Sequence, residues 1–332
     1  MRHTLKRIPP RWRRSIAAAL GLLVGAAALA LAARGVDRAE LMAAFRGVDW
    51  WWVAAAGVAN AVNIVAHGWA WRIGLDAGGA GPVATRHAVA ATWVGKAGNQ
   101  LLPGKVGEVV RIAMIRSHIP QDRREVSRIV GSVVAQRAFY ILATFLVVTS
   151  VASVMPLPID VPGGRWTPPA VLLGVGVVIV VLYLTKPFGQ RRASGVGRLR
   201  QMARTFAGGA GLLKPSRAAA AALAFHLVAV SAQLTVYECL LRGFDVVAPP
   251  TAPLLIIALV GLVGAIPGAP GGAGLNQAAL VAPLGAAYGV DPSSALAFAL
   301  GLQATVAAVA VAGGAVAMMH HRRACALRAA IP

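Results

Sequence analysis

Residues 95–111 interrupt a predominantly apolar sequence with charged and amide side chains set among glycines and a proline. The ionisable residues of this stretch are Lys96, Lys105, Glu108 and Arg111. Non-helical backbone at membrane depth is tolerated only where protein or a water-filled cavity covers it. Ionisable side chains at that depth are energetically costly and typical of functional sites. We therefore expect residues 95–111 to form the bottom of a re-entrant hairpin and half of a functional site.

The composition is that of a membrane protein. Of the 332 residues, 58% are hydrophobic and 13% are charged, whereas a soluble domain has roughly 25% charged residues. The net charge of +21 is carried by basic blocks between apolar runs, a pattern typical of the cytoplasmic loops of a bacterial inner-membrane protein. The basic loop 186–217 contains no acidic residue. We interpret this loop as lying near anionic lipid, and not as a nucleic-acid site, because no groove-reading motif accompanies it.

The apolar runs predict an all-α integral membrane protein with a single transmembrane domain over residues 1–332. A spanning helix needs about 20 apolar residues, and the sequence predicts six such spans, at about 15–33, 50–73, 129–155, 169–185, 218–241 and 293–318. Two further apolar regions, at about 88–116 and 251–289, are broken by glycine and proline. We predict two re-entrant helical hairpins there that enter from opposite sides, similar to the inverted repeats of transporters. Basic residues near both ends of the chain place both termini in the cytoplasm.

The first apolar run follows a basic N-terminal segment, as in a secretory signal peptide. The apolar region of a signal peptide is shorter, typically about 7–15 residues. We therefore expect an uncleaved first span, and cleavage after residues 30–32 is the alternative.

One face of the second predicted span is polar, because Asn60, Asn63 and His67 follow one another at helical spacing. Two interpretations stay open for this face. These side chains either form hydrogen bonds to a neighbouring helix or line a substrate cavity.

Two motifs of glycine and proline mark the broken regions, and a third motif opens the next span. The first motif comprises Asn99, Leu102, Pro103, Gly104, Gly107, Glu108 and Arg111. The second comprises Pro267, Pro270, Gly271, Gly272, Gly274 and Gln277. The third is Gln136-Arg137 with Tyr140 shortly after. In this order and spacing the motifs resemble those of the lysylphosphatidylglycerol synthase transmembrane region family, also called flippase-like domain proteins, over essentially the whole chain. Gln136, Tyr140 and Gln277 stand where that family's pattern has acidic residues.

The resemblance implies movement of a lipid between membrane leaflets, with an anionic or aminoacylated phospholipid or another polar lipid as the substrate. The soluble synthase domain of some relatives is expected to be absent, so we expect neither enzymatic activity nor a cofactor. One alternative is a membrane component of polyprenyl-phosphate-linked sugar transfer or of hopanoid synthesis. Another is a non-transporting partner of a separately encoded lipid-modifying synthase. Formation of a homo-oligomer is a further possibility that the sequence leaves open.

The candidate substrate-binding residues belong to the two broken regions and to the third motif. They are Lys96, Asn99, Gln100, Pro103, Gly104, Lys105, Gly107, Glu108, Arg111, Arg137, Pro270, Gly271, Gly272, Gly274 and Gln277. Arginine meets phosphate as a planar fork and lysine as a point charge. Glu108 is expected either to neutralise a cation, with Arg111 one turn away, or to meet an ammonium group on the substrate. The structural alternative is that Glu108 ties Arg111 or Arg137 only to hold the hairpin, and that the lysines reach the surface.

Several enzyme classes are disfavoured by spacing. The interval from Gly98 to Gly104-Lys105 is one residue too long for a P-loop, and Val106 occupies the Ser/Thr position. The sequence contains neither His-Glu-x-x-His nor Gly-x-Ser-x-Gly. The two cysteines, Cys239 and Cys325, are far apart and predict neither a disulfide framework nor a metal site.

Overall fold

A computed structural model describes residues 10–103, 106–119, 123–154, 216–264 and 270–329. Within these ranges the protein is all-helical, as predicted, with ten α-helices and no strand. The helices are α1 (Pro10–Ala32), α2 (Arg38–Arg46), α3 (Trp50–Ala77), α4 (Thr85–Leu101), α5 (Val106–Arg116), α6 (Arg123–Val154), α7 (Arg217–Gly243), α8 (Ala252–Val263), α9 (Leu275–Tyr288) and α10 (Pro292–Ala329).

Four of the described helices are long and apolar enough to cross a membrane. These segments are Trp50–Ala77, Arg128–Val154, Arg217–Gly243 and Pro292–His321. They coincide with four of the predicted spans, which confirms a multi-pass helical membrane protein. The predicted first span falls within α1, whose apolar part is Ala19–Ala32. The predicted span 169–185 lies outside the described residues, as does the basic loop as far as residue 215.

The first broken region consists of two short helices that pack directly against each other. Helix α4 ends at Leu101, and Leu102 is extended, with φ −117° and ψ 139°, because the following proline disfavours helical backbone at that position. Glycines allow the close packing of α4 on α5. A Cβ atom added to Gly98 would lie 2.9 Å from the Cα of Gly107, so larger residues would separate the two helices.

The second broken region also consists of two short helices, α8 and α9. A 3₁₀ turn over Pro270–Gly272 precedes α9. Gly271 and Gly274 have φ values of 59° and 80°, a backbone conformation that glycine adopts without a steric penalty. Gly274 packs on the backbone of Gly25 in α1, and no space is left there for a side chain. This contact fixes the start of α9 against the first helix.

Helices α3 and α7 pack along each other at the centre of the described bundle, and α10 contacts both. The two largest of the three described apolar clusters fill most of the interior. One contains Ala56, Leu240 and Phe298 from these three helices. The other contains Trp71 and Ile115 and joins α3 and α6 to the first broken region. The charged residues of α5 and α6 lie beside this second cluster and are therefore held by a packed apolar support.

Candidate functional site

A cavity of about 90 Å³ lies among helices α3 to α7, which is room for several water molecules. Its lining residues are polar or ionisable: His67, Lys96, Glu108, Arg111, Gln136, Arg137, Tyr140 and Gln233. The structure thus brings together four of the predicted site residues, namely Lys96, Glu108, Arg111 and Arg137. Three cations face a single carboxylate in this lining.

Glu108 lies in the first turn of α5 and is buried. A carboxylate is favoured there because the first turn of a helix carries partial positive charge. Its Oε2 atom lies 2.9 Å from Nε of Arg111, and its Oε1 atom lies 3.5 Å from Nη2 of Arg137. Both carboxylate oxygens are therefore engaged by arginines, one on the same helix and one on α6.

The guanidinium of Arg111 contacts Glu108, Gln136 and Trp71 and is buried along with Glu108. Its Nη2 atom donates to Oε1 of Gln136 at 2.9 Å. Its guanidinium carbon lies 4.4 Å from the centre of the Trp71 ring, within the range of a cation–π interaction. Gln136 in turn donates to the backbone carbonyl of His67 at 2.9 Å. Arg111 is thus fixed in place, and its contacts leave it little freedom to follow a ligand.

The Trp71 ring, on which Arg111 stacks, is itself fixed by hydrogen bonds. The indole nitrogen of Trp71 donates to Oγ of Ser132 at 3.0 Å, and that hydroxyl donates to the carbonyl of Ile129 at 2.7 Å. Trp71 and Ser132 are both fully buried. A rotation of the Trp71 ring would break this chain, so the stacking position of Arg111 is set by α6.

Lys96 and Arg137 are the two cations with unused binding capacity. The side chain of Arg137 is 39% exposed, against 8% for Arg111. Lys96 projects from α4 into the cavity, and within the described part of the chain it makes no salt bridge. Lys96 can therefore turn toward an anion without breaking an ion pair, and Arg137 can do so by giving up its 3.5 Å contact to Glu108.

The rest of the cavity wall carries no carboxylate among its described residues and comes from α3, α6 and α7. The ring of His67 lies 5.1 Å from that of Tyr140 and 5.6 Å from that of His226. Gln233 contributes an amide from α7. The two interpretations of the polar face of α3 each hold for one residue. Asn63 donates to the carbonyl of Ala229 on α7 at 2.7 Å, whereas His67 lines the cavity.

Four predicted residues lie at the contact between the two broken regions and not in the cavity lining. Oε1 of Gln100 accepts from Nε2 of Gln303 at 3.1 Å, and Oε1 of Gln303 accepts from Nδ2 of Asn276 at 3.1 Å. The same Asn276 amide donates to the carbonyl of Gly271 at 3.0 Å. This amide chain joins α4 to the start of α9 through α10. The 3₁₀ turn that holds Pro270, Gly271 and Gly272 contacts α4 here.

Gln277 and Gly274 form a helix cap. Oε1 of Gln277 accepts from the backbone N–H of Gly274 at 2.7 Å, and its Nε2 atom donates to the carbonyl of Ala299 at 3.4 Å. Gln277 is only 1% exposed. The sequence predicts a headgroup contact for this amide, whereas the structure directs the amide to the backbone of α9 and α10.

Three of the remaining predicted residues, Asn99, Pro103 and Gly107, lie in the described part of the first broken region. Gly107 packs against the backbone of Gly95 and against Asn99, with no space for a Cβ atom. Pro103 is half-buried after the extended Leu102. Gly104 and Lys105 lie outside the described residues.

The helices and the cavity define a class of protein, a multi-pass α-helical membrane protein with ionisable side chains in its interior. Comparison with protein families gives the particular family. Residues 18–314 match the model of the lysylphosphatidylglycerol synthase TM region, and the chain belongs to this family. No curated protein matches the chain. The match also confirms the resemblance carried by the glycine and proline motifs.

Proposed function

We propose that this protein moves a polar lipid between the leaflets of a bacterial inner membrane, with the lipid headgroup held in the cavity among α3 to α7. The observation that carries the proposal is the cavity lining, in which three cations face one carboxylate inside the helical bundle. Membership of a family of lipid-related membrane domains supports it. Both termini lie in the cytoplasm in this proposal, and the protein is a carrier and not an enzyme.

A lipid headgroup that crosses the bilayer must lose most of its water. An unpaired ion in a low-dielectric layer costs many kcal/mol, so a carrier has to supply counter-charges and hydrogen bonds. Lys96 and Arg137 supply positive charge to the cavity. Glu108 is the one carboxylate among the described lining residues, so it does not neutralise all three cations. Lys96 and Arg137 match the phosphate of a phospholipid or of a polyprenyl lipid, because charge-assisted hydrogen bonds to phosphate are short and strong.

Glu108 has a defined role in this carrier. In the empty site it holds Arg137 at 3.5 Å and Arg111 at 2.9 Å, which limits the repulsion among the cations. When a phosphate enters, Arg137 exchanges the longer of these contacts for a charge-assisted bond to the lipid. Arg111 keeps its contacts to Glu108, Gln136 and Trp71 and preserves the shape of the site.

The proposal is tested by a leaflet-distribution assay on vesicles that contain the purified protein. The probes are fluorescent phosphatidylglycerol, aminoacylated phosphatidylglycerol and a polyprenyl phosphate, each placed first in one leaflet. We expect at least one probe to redistribute faster than in protein-free vesicles. Redistribution of all three at the protein-free rate would overturn the proposal.

Two variants separate a carrier from a non-transporting partner of a synthase. Arg137→Ala and Glu108→Gln both change the cavity lining, so the carrier proposal requires both to slow redistribution. A partner that only stabilises another protein would tolerate both variants once they fold. Arg34→Gln removes one positive charge from an exposed residue outside the cavity and serves as the control.

A further inference from the structure

We infer that the cavity selects lipids with a net negative headgroup and rejects lipids with a free amine. Its ligand class is a phosphate diester with a neutral, hydroxyl-bearing headgroup, of which phosphatidylglycerol is the simplest member. An aminoacylated phosphatidylglycerol, with its added ammonium groups, is a poor ligand. The inference rests on the proposed function because it assumes that the cavity receives the headgroup.

The carboxylate of Glu108 is already engaged within the protein. An ammonium group on a substrate needs a carboxylate, and Glu108 is the acid in the described lining. Both of its oxygens are engaged by Arg111 and Arg137. Arg111 is buried with its own network, so its release for an incoming amine would leave a buried guanidinium without its carboxylate, a severe cost.

The other described acids lie outside the cavity lining. Asp76 pairs with Arg72 at 3.0 Å, and Glu238 pairs with Arg242 at 2.8 Å. Asp37, Asp49 and Asp291 accept hydrogen bonds from backbone N–H groups at helix starts. Glu40 accepts a hydrogen bond from Oγ of Ser293 at 2.9 Å, and Asp245 follows α7. None of these seven acids belongs to the described cavity lining. A second carboxylate for an ammonium group is therefore lacking among the described lining residues.

A neutral wall of the cavity is formed by Tyr140 and Gln233. A phenol hydroxyl and a side-chain amide each donate and accept hydrogen bonds. Such groups match the hydroxyls of a glycerol headgroup without adding charge. Lys96 and Arg137 then take the phosphate, and the neutral wall takes the remainder of the headgroup.

The test is a competition for binding, measured by native mass spectrometry on the purified protein. Equimolar phosphatidylglycerol and lysyl-phosphatidylglycerol with identical acyl chains are offered together. We expect at least about a tenfold preference for phosphatidylglycerol, because an ammonium close to two cations is repelled strongly in a partly buried site. Equal binding, or a preference for the lysyl lipid, would overturn the inference. A parallel sample contains excess glycerol phosphate. Phosphatidylglycerol that stays bound indicates a site for the lipid, as we expect. Displacement of phosphatidylglycerol would indicate a site for the free anion and would overturn the inference.

Variants locate the selectivity in the cavity. Gln233→Glu adds a carboxylate of nearly the same shape to the neutral wall, and we expect it to cut the preference for phosphatidylglycerol at least about threefold. Lys96→Gln lowers phosphatidylglycerol binding, and Arg34→Gln changes neither quantity. A preference that survives Gln233→Glu and Lys96→Gln unchanged would place the selectivity elsewhere and overturn the inference.

The inference and the proposed function fail in different ways. If vesicles redistribute the lysyl lipid and not phosphatidylglycerol, the carrier function stands and the inference is wrong. If the protein binds phosphatidylglycerol selectively but redistributes no lipid, the selectivity stands and the carrier function is wrong.

Discussion

Glu108 and Arg111 form a buried ion pair one helical turn apart, with Oε2 of the carboxylate 2.9 Å from Nε of the guanidinium. Both side chains are only 8% exposed. A surface pair at the same spacing gains a few tenths of a kcal/mol, whereas removal of one partner from a buried pair leaves an uncompensated charge. The pair is therefore both a part of the cavity and a condition for its stability.

We expect Glu108→Gln to lower the stability of the protein by about 3–5 kcal/mol, the usual cost of leaving one member of a buried pair alone. Arg111 would keep its bond to Gln136 and its stacking on Trp71 but would lose its carboxylate. Thermal unfolding in detergent, followed by the helical circular dichroism signal, measures the loss.

The control for this variant is Glu238→Gln, which removes the carboxylate of an exposed pair with Arg242. Exposed pairs four residues apart on a helix contribute about 0.3–0.5 kcal/mol, so this control is expected to unfold close to the original protein. Equal losses for the two variants would contradict the special role of the buried pair.

Lys96→Gln is expected to slow lipid redistribution with little change in unfolding temperature. Lys96 makes no salt bridge among the described residues, so its loss strands no buried partner. A hydrogen bond to a charged group contributes about 1.5–3 kcal/mol, so the rate or the lipid affinity should fall roughly 10- to 150-fold. The vesicle assay measures the rate, and Arg34→Gln is the charge-matched comparison. An unfolding temperature that drops as far as in Glu108→Gln would indicate a structural lysine instead.

Gly107→Ala is expected to destabilise the first broken region. The added methyl group would meet the carbonyl oxygen of Gly95 and the side chain of Asn99, and overpacking of this kind costs about 1–3 kcal/mol. Gly261→Ala is a matched control, because a Cβ atom at this helical glycine meets nothing within 4 Å. Alanine there should be neutral or stabilising by up to about 1 kcal/mol. Similar unfolding temperatures for the two variants would show that α4 and α5 can separate without cost.

Much of the fold follows from local sequence, but only part of the site does. Four spans follow from the length of the apolar runs, and the contact of Glu108 with Arg111 follows from helical spacing. The approach of Arg137 to Glu108 depends on how α5 packs against α6, and no local pattern encodes it. Gly274 and Gln277 did offer a local signal, because a glutamine three residues after a helix start is typical of a cap. The motif predicts a headgroup contact for Gln277, whereas in the structure its amide oxygen caps the start of α9.

The amide chain of Gln100, Gln303 and Asn276 depends on tertiary contacts that a local sequence pattern does not predict. Gln100 and Gln303 are 203 residues apart, and Gln303 lies in an apolar helix that carried no predicted site residue. His67, Tyr140 and Gln233 come from three different helices and reach one cavity only through the packing of α3, α6 and α7. Their polarity within apolar spans was visible in the sequence, but their convergence was not.

The bridge between the two broken regions gives the last prediction. Gln303→Leu keeps a side chain of similar size but removes the amide that accepts from Asn276 and donates to Gln100. Because these bonds connect the end of α4 to the start of α9, their loss should let these two helix ends separate. We expect faster backbone hydrogen exchange at residues 98–102 and 271–276, measured by mass spectrometry on the protein in detergent, with α3 and α7 unchanged. Thr305→Val removes a polar group two residues further along α10 and is the control. If hydrogen exchange at both segments is unchanged in Gln303→Leu, apolar packing of α10 holds the end of α4 and the start of α9 together without the amides.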